Sequence, residues 1–227
     1  RIVLIGESIR NPDFSLNSLG RLVEDAWGKK CFSTYGITEG AVSFCECGKH
    51  QGLHSHPELV ISEIIDDEGR TLGDDVHGEL VITTLQVEGM PLIRYKTGDI
   101  TFKITKKCGC GRTSLRIGPI IGRKHQRLKV RGVTLYPKAI ENALLRVKGI
   151  MNYRIEAYTG SDQTDHVKVF VGAGVKNSGF EKIVCERLRA SLRFTPEVEI
   201  LSPEEIEKKL FEGGSRKALT FKDRRTA

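Results

Sequence analysis

A mixed α/β (α+β) fold in two parts is predicted for this chain, and three observations predict it. The middle of the sequence is rich in Ile, Val and Thr with two-residue alternation, as half-buried strands require. After Gly122 the pattern changes to short strands separated by apolar stripes at helical spacing. The composition, 39% hydrophobic and 29% charged over 227 residues, is ordinary for a globular protein with a buried core. That length suits one large domain or two small ones.

Each element has its own signal. Ile2 to Ile5 reads as a buried strand ending at Gly6-Glu7. Leu16, Leu19, Leu22, Val23, Ala26 and Trp27 recur at helical spacing, so an amphipathic helix is predicted over 15–27 with Ser15 as its cap. Residues 30–35 read as a short strand delivering a Tyr35-Gly36 turn, where loop-borne chemistry is expected. Strands are predicted over 59–66, 79–86, 92–95 and 100–106, the last alternating Ile100, Phe102 and Ile104 with Thr101, Lys103 and Thr105. A small hairpin, 128–130 with 134–136, is expected around Arg131-Gly132. Pro137 suits the first turn of a helix striped by Ile140, Ala143, Leu144 and Val147. Residues 153–158 and 166–171 read as strands, and 180–192 as a helix with Ile183, Val184 and Leu188 inward. A strand at 197–201 follows, then Ser202-Pro203-Glu204-Glu205, a capping box that opens a short polar helix. The boundary between the two parts is predicted at 122–126.

Net charge is +7 with a pI near 9.1, a balance that favours anionic partners: nucleotide, nucleic acid or the phosphates of coenzyme A. Most of the basic residues are interleaved with Asp and Glu, and only Arg123 to Arg131 is a dense run. No apolar run approaches the roughly 20 residues of a bilayer span. No charged-then-apolar leader marks export, so a cytoplasmic protein with no membrane partner is expected. Arg1 stands directly on an apolar run, an abrupt start expected of a chain that opens inside a domain.

The chemistry lies in short motifs: Tyr35-Gly36-Ile37-Thr38-Glu39, Arg94-Tyr95-Lys96-Thr97-Gly98-Asp99, Gly122-Arg123, Arg131-Gly132 and Ser215-Arg216-Lys217-Ala218. Thr38 offers a hydroxyl to a phosphate, and Glu39 a hard oxygen ligand to Mg²⁺. Tyr35 can pack its ring on a base, and Asp99 has two acceptor oxygens that match the vicinal hydroxyls of a ribose. Arg123 can donate to ribose or phosphate. Taken singly, each has a plainer explanation: Glu39 as a surface carboxylate, Asp99 as a strand-to-turn residue, Arg123 and Lys217 as solvated cations.

In this order and at these separations the motifs resemble the adenylate-forming enzymes, and among them the later, C-terminal part of the phenylacetate–CoA ligase family. The resemblance implies ATP-dependent activation of a small, aryl or other, carboxylic acid to acyl-AMP and its transfer to coenzyme A. Attack on the α-phosphate builds negative charge on phosphate oxygens, so cations and donors must be in place beforehand. It further implies the end of a large nucleotide-binding domain with an antiparallel β subdomain over 1–122, a hinge over 123–126, and a small mobile α+β lid domain over 127–227. Nucleotide contacts are then expected from Gly6, Glu7, Tyr35, Gly36, Asp99 and Arg123, with Thr38 and Glu39 catalytic and Mg²⁺ on Glu39. Lys217 would bridge the acyl carboxylate and the α-phosphate, and Arg131-Gly132 would line the entry of the pantetheine arm. Three positions depart from the family pattern: Arg216 replaces a glycine, Thr220 a basic residue, and His125 the Asp or Lys of the hinge. The family's Gly/Ser/Thr-rich phosphate loop and most of its acyl pocket lie upstream of the matched part. The chain alone is therefore expected to adenylate poorly, as part of a longer protein, as a homodimer, or with a partner chain supplying the missing part.

Six cysteines stand at 31, 45, 47, 108, 110 and 185. Cys-x-Cys neighbours bridge poorly, and no export signal favours disulfides. Cys108-Gly109-Cys110-Gly111 is a knuckle-like pair, and Cys47 and His54 are further zinc-type ligands, with Cys45, His50 and His56 as rivals. A branch of the same family resembles this pattern of Cys, Gly-Leu-His and Cys-x-Cys-Gly, and that resemblance favours Cys47, His54, Cys108 and Cys110 as a structural zinc site. Cys31 and Cys185 read as packing residues. Two rival functions stay open: an adenylating ligase with an acceptor other than coenzyme A, and a zinc-bearing basic module that binds nucleic acid. Against the second, the ligand pairs lie far apart in sequence and aromatics are 7% of the chain, so no nucleic-acid partner is expected.

Overall fold

A computed structural model describes residues 1–174 and 178–225, apart from the side chain of Val42. The chain divides into two compact units, Arg1–His125 and Gln126–Ala227.

The first unit opens with β1 (Ile2–Ile5), α1 (Ser18–Trp27), β2 (Cys31–Ile37), β3 (Val42–Glu46) and β4 (Leu53–His54). It continues with β5 (Val60–Ile65), β6 (Gly78–Thr84) and β7 (Tyr95–Thr101), then β8 (Lys103–Ile104), β9 (Arg116–Ile117) and β10 (Gly122–Arg123). Two sheets result, in the orders β1-β2-β3-β4-β9-β8 and β10-β7-β6-β5. All pairings are antiparallel except β1 with β2. Phe44, Leu53, Val60, Ile64, Leu80, Ile82 and Ile117 from both sheets form one shared core. At roughly 1.5–3 kcal/mol for each fully buried aliphatic or aromatic side chain, that core is what holds the sheets face to face.

Four sequence expectations are corrected in this unit. β1 is a strand but not a buried one: it lies at the sheet edge, and Val3 and Ile5, 60% and 73% exposed, share a face that no described residue covers. The first helix begins at Ser18, not 15, and its cap is Asn17, whose side chain accepts from the Gly20 N–H at 2.9 Å. Ser15 instead closes a turn on the Asp13 carboxylate. The helix buries Ser18 and Gly20, while Leu22 and Trp27 of the predicted inner stripe stay exposed. A Cβ on Gly20 would lie 2.6 Å from the Ile9 carbonyl oxygen, so the helix docks through its smallest residue. The segments predicted at 92–95 and 100–106 are divided differently. A single strand, β7, runs through Tyr95-Lys96-Thr97-Gly98-Asp99, and Lys103–Ile104 crosses to the other sheet.

The second unit contains β11 (Leu128–Val130), β12 (Val133–Leu135), α2 (Pro137–Leu144), β13 (Ile150–Thr159) and β14 (Asp165–Ala173). Then come α3 (Ser178–Leu192), β15 (Glu197–Leu201), α4 (Pro203–Leu210) and β16 (Phe221–Asp223). β11 and β12 are joined by Arg131 (φ 48°) and Gly132 (φ 79°), the doubly left-handed turn that tight hairpins require. The four-stranded sheet has the order β15-β14-β13-β16 and its sides alternate in use. Ile155, Ala157, Val167, Val169 and Val171 join the stripe Ile140, Ala143, Leu144 and Val147 with Val184, Leu188 and Leu192. The opposite side carries Phe170, packed with Ile206 and Leu210 of α4. Ile183, predicted inward on the third helix, is 55% exposed, because Val184 and Leu188 already define the buried stripe. The capping box on α4 forms as expected: the Glu205 N–H donates to Ser202 Oγ at 3.2 Å, and the Ser202 N–H to the Glu205 carboxylate at 2.7 Å.

The cap assignment is testable. Asn17→Ala is expected to lower the stability of the first unit by about 1 kcal/mol in urea denaturation. Ser15→Ala should change it by less than about 0.5 kcal/mol. The reverse order of effects would restore Ser15 as the cap.

Candidate functional site

Two groups of side chains in the first unit converge from distant parts of the sequence. In the first, the Tyr35 hydroxyl on β2 donates to Asp99 Oδ2 on β7 at 2.8 Å. Arg123 on β10 stands directly across from Asp99 in the ladder, and its Nε lies 3.2 Å from Asp99 Oδ1. Tyr35 belongs to one sheet and Asp99 to the other, so this hydrogen bond ties the two sheets together. Burial, reinforced by the neighbouring Asp99 carboxylate, pushes the Tyr35 hydroxyl well above its ordinary range. It therefore stays protonated and donating throughout the physiological range.

Asp99 is only 3% exposed, whereas the Arg123 side chain is 56% exposed. Each carboxylate oxygen accepts one partner here and keeps a further lone pair, so Asp99 can still receive a diol. Arg123 is the member free to turn toward an added anion.

Backbone geometry aims the carboxylate. Gly98 adopts φ 74°, and the ladder to β6 is irregular between Glu79 and Val81, so β7 bulges just before Asp99. Thr97 Oγ1 donates to the Leu80 carbonyl at 2.8 Å and accepts from the Asp99 N–H at 3.1 Å. The buried Glu79 accepts from the Gly98 N–H at 3.2 Å and from Lys124 Nζ at 3.1 Å, and Lys124 also reaches Asp67 at 2.8 Å. Sequence reasoning missed Thr97, Glu79 and Lys124 as supports. Lys124 adjoins Gly122-Arg123 and Thr97 lies within the Gly98-Asp99 motif, but nothing near Glu79 marks it.

The other predicted residues fall as follows. Thr38 and Glu39 are exposed in the tight turn between β2 and β3. That turn depends on the buried Gly40, where a Cβ would lie 2.7 Å from Ile82 Cδ1. Tyr35 does not present a free ring: its ring packs on Phe44, 5.8 Å between centroids, while its hydroxyl serves Asp99. The expected Tyr35-Gly36 turn does not form: both residues continue β2, paired with Phe44 and Ser43, and the chain turns after Ile37 because the β2–β3 ladder extends to that residue. Ile5 is paired in parallel with Thr34, so Gly6-Glu7 leave β1 beside Tyr35-Gly36. His125 is exposed in a single helical turn at the end of the first unit. Arg131, Gly132 and Lys217 lie in the second unit. There Lys217 is exposed in a loop whose Ser215 hydroxyl donates to the Lys217 carbonyl at 2.6 Å.

The second group is Cys47, His54, Cys108 and Cys110, whose ligand atoms all lie within 4.8 Å of one another. Cys47 and Cys108 Sγ are 3.7 Å apart, and Cys110 Sγ is 3.5 Å from His54 Nε2. Four ligands about 2.3 Å from a tetrahedral ion would be separated by about 3.8 Å, so the spacing suits a zinc ion and not a disulfide. His54 Nδ1 is held by Ser114 Oγ at 3.2 Å, which leaves Nε2 facing the sulfurs. Burial and nearby arginines lower the His54 pKa, keeping the ring neutral and able to coordinate. His50, a rival ligand, is instead held by Arg10 at 2.7 Å and Glu46 at 3.0 Å. His56 pairs with Glu58 at 3.4 Å, and Cys45 lies 3.7 Å from the Ser43 hydroxyl. His54 sits on β4 beside β3, two strands too short for their periodicity to stand out in the sequence.

Comparison with known proteins agrees with this architecture. The family profile described as "AMP-binding enzyme C-terminal domain" matches residues 132–225. Phenylacetate-coenzyme A ligase of Thermus thermophilus is 39% identical over 143 residues, covering 61% of this chain and 32% of that protein. The enzyme of the same name from Pseudomonas putida is 34% identical over 160 residues, covering 68% of this chain and 36% of that protein. The chain thus spans about a third of the length of these curated relatives. Among solved structures, a 2-hydroxyisobutyryl-CoA ligase in the postadenylation state superposes with a TM-score of 0.77 at 22% identity. That match covers 97% of this chain and 48% of the ligase.

The inter-sheet hydrogen bond should have a measurable weight. Tyr35→Phe is expected to destabilise the first unit by about 1.5–3 kcal/mol in chemical denaturation, because the lost bond is to a charged, buried acceptor. Tyr158→Phe, which removes an exposed bond to Glu197, should cost less than about 0.5 kcal/mol. Equal effects would remove the special role of Tyr35.

Proposed function

We propose that this relative of the phenylacetate–CoA ligases, matching their C-terminal portion, serves an AMP-forming acyl–CoA ligase acting on a small, aryl carboxylic acid. The observation that carries the reading is the convergence of Tyr35, Asp99 and Arg123, 64 and 24 residues apart in sequence, on one carboxylate. Asp99 takes the ribose hydroxyls of ATP, and Arg123 turns from its ion pair to the ribose or phosphate. Gly6, Glu7 and Gly36 border the adenine at the shared end of β1 and β2. Thr38 donates to a phosphate oxygen. Glu39 would hold Mg²⁺, which would supply positive charge to the phosphates.

In the first half-reaction a carboxylate oxygen of the acid attacks the α-phosphorus, and the bond to the bridging oxygen of pyrophosphate breaks. Acyl-AMP and pyrophosphate result, with Lys217 balancing charge on the carboxylate and α-phosphate. In the second, the sulfur of coenzyme A attacks the acyl carbonyl and AMP leaves. Arg131 and Gly132 admit the pantetheine arm, and His125 absorbs the backbone change at the hinge. Structural Zn²⁺ on Cys47, His54, Cys108 and Cys110 clamps β3 and β4 to the 105–115 loop. Against the nucleic-acid alternative, Lys124 of the Arg123–Arg131 run is held by Asp67 and Glu79.

Two measurements test this. The ligase containing this chain should support ATP–pyrophosphate exchange with at least one acid of an aryl and short-chain panel. Lys217→Ala should cut that exchange at least 100-fold while sparing thioester formation from supplied acyl-AMP. Absence of exchange with every acid, or equal loss of both steps, would defeat the reading. Separately, metal analysis of purified protein should find close to one zinc per chain, falling by more than half in Cys108→Ser; well under one in the unaltered protein excludes the zinc site.

A further inference from the structure

Arg154 is the largest fully buried side chain of the protein, with 0% exposure on β13. A guanidinium cannot shed its proton, so it must find acceptors wherever it is buried. It finds three of them at the two ends of one loop and one on its own strand. Its Nη1 donates to the carbonyl of Lys209, at the end of α4, and to the carbonyl of Leu219 at 3.0 Å. Its Nη2 reaches Glu212 at 3.4 Å and Glu156 at 3.3 Å. The same neck is closed by the Leu219 N–H donating to the Leu210 carbonyl at 2.9 Å. Between Leu210 and Leu219 lies the segment that carries Arg216 and Lys217, both exposed, with Gly213 and Gly214 at φ 74° and 75°.

Left to itself such a segment would be loose, since two left-handed glycines and a run of exposed side chains provide little to order it. The acidic partners extend the clamp. Glu212 accepts from Lys222 Nζ at 2.8 Å, and Glu156 takes Arg224 through contacts of 2.6 and 3.2 Å. Lys222 and Arg224 flank Asp223 at the end of β16, the strand that follows the loop. Arg154 thus grips the loop before and after Lys217, while its carboxylate partners anchor the strand that leaves it.

We propose that Arg154 is the positioning residue for Lys217, setting the loop that presents its ammonium group and acting through Glu212 and the Lys209 and Leu219 carbonyls. This rests on the adenylation role given to Lys217 above; Arg154 itself touches no substrate. Only a planar fork can take two backbone carbonyls and two carboxylates at once, so lysine at this position is expected to serve poorly.

The test uses Arg154→Met, Arg154→Lys and Glu212→Gln. Amides of 211–219 should exchange hydrogen at least tenfold faster in Arg154→Met, with smaller increases in the other two, while amides of α2 and β14 keep their protection. Trypsin should cut after Arg216 or Lys217 at least tenfold faster. In the complete ligase, kcat for acyl-AMP formation should fall at least tenfold with KM for ATP changed less than threefold, and thioester formation from supplied acyl-AMP should be retained. If Arg154→Met does not fold, Arg154→Lys and Glu212→Gln carry the same readouts. Unchanged exchange and cleavage in the folded variants overturns the proposal, as does loosening spread evenly over the second unit. If Lys217→Ala leaves acyl-AMP formation intact, the role of Lys217 is wrong, and the exchange and cleavage data still decide whether Arg154 holds the loop.

Discussion

The hydrogen bond from Tyr35 to Asp99 is the constraint on which the first unit turns. It links two sheets that share an apolar core, and hydrophobic contact alone does not specify rotation or register. The bond also gives Asp99 a fixed orientation, since the acceptor oxygens of a buried carboxylate must be satisfied by donors. Arg123 completes the arrangement from the neighbouring strand, and its exposure leaves it as the mobile member. Structural and proposed functional demands therefore coincide: the carboxylate that ties the sheets together is also the one proposed to receive the ribose diol.

A similar economy governs the support around it. Glu79 is buried and ties the Gly98 bulge to Lys124, so the bulge and the end of the first unit share one anion. Removing a partner would leave a buried charge without compensation, which costs far more than an exposed ion pair contributes. The cysteine–histidine group works on the opposite flank. Its donors come from β3, β4 and the loop after β8, short elements with too few ladder bonds to order themselves. Arg10, Glu46 and His50 form a second, buried polar knot beside it, with Glu46 also accepting from the Ser33 N–H at 3.0 Å. That knot explains why His50 stands apart from the cysteines.

The second unit follows a different plan, with one sheet whose two sides do unlike work. One side supplies Ile155, Ala157, Val167, Val169 and Val171 to the main core. On the other, Arg154 and Glu156 alternate with those residues and add, beside the Phe170, Ile206 and Leu210 cluster, an ionic network around the Lys217 loop. A buried arginine is a poor source of stability compared with a well-packed aliphatic of similar size. Its contacts with the ends of the Lys217 loop fix geometry more than they add stability.

Periodicity and local chemistry were legible from the residues alone. The helix at Pro137, the Ser202 capping box, the hairpin at Arg131-Gly132 and the strands of the second unit all follow from signals within a few residues. So do the motifs, because Gly-Asp, Gly-Arg and Cys-x-Cys carry their chemistry locally; among the zinc-type ligands the local pattern left Cys45, His50 and His56 as rivals, and the family resemblance favoured the set whose atoms converge. Burial was less legible. Val3, Ile5, Leu22, Trp27 and Ile183 look like core in sequence and are exposed, since hydrophobicity says what a side chain prefers and not whether anything stands opposite it. β3, β4 and β9 were invisible because short strands take their stability from neighbours far along the chain. For the same reason only the tertiary structure could show Tyr35 donating to Asp99, Glu79 holding the bulge, and Arg154 gripping a loop more than fifty residues away. Hydrogen bonds and ion pairs act over a few ångströms in space, and the linear order of residues carries no record of which distant groups the fold will bring within that range.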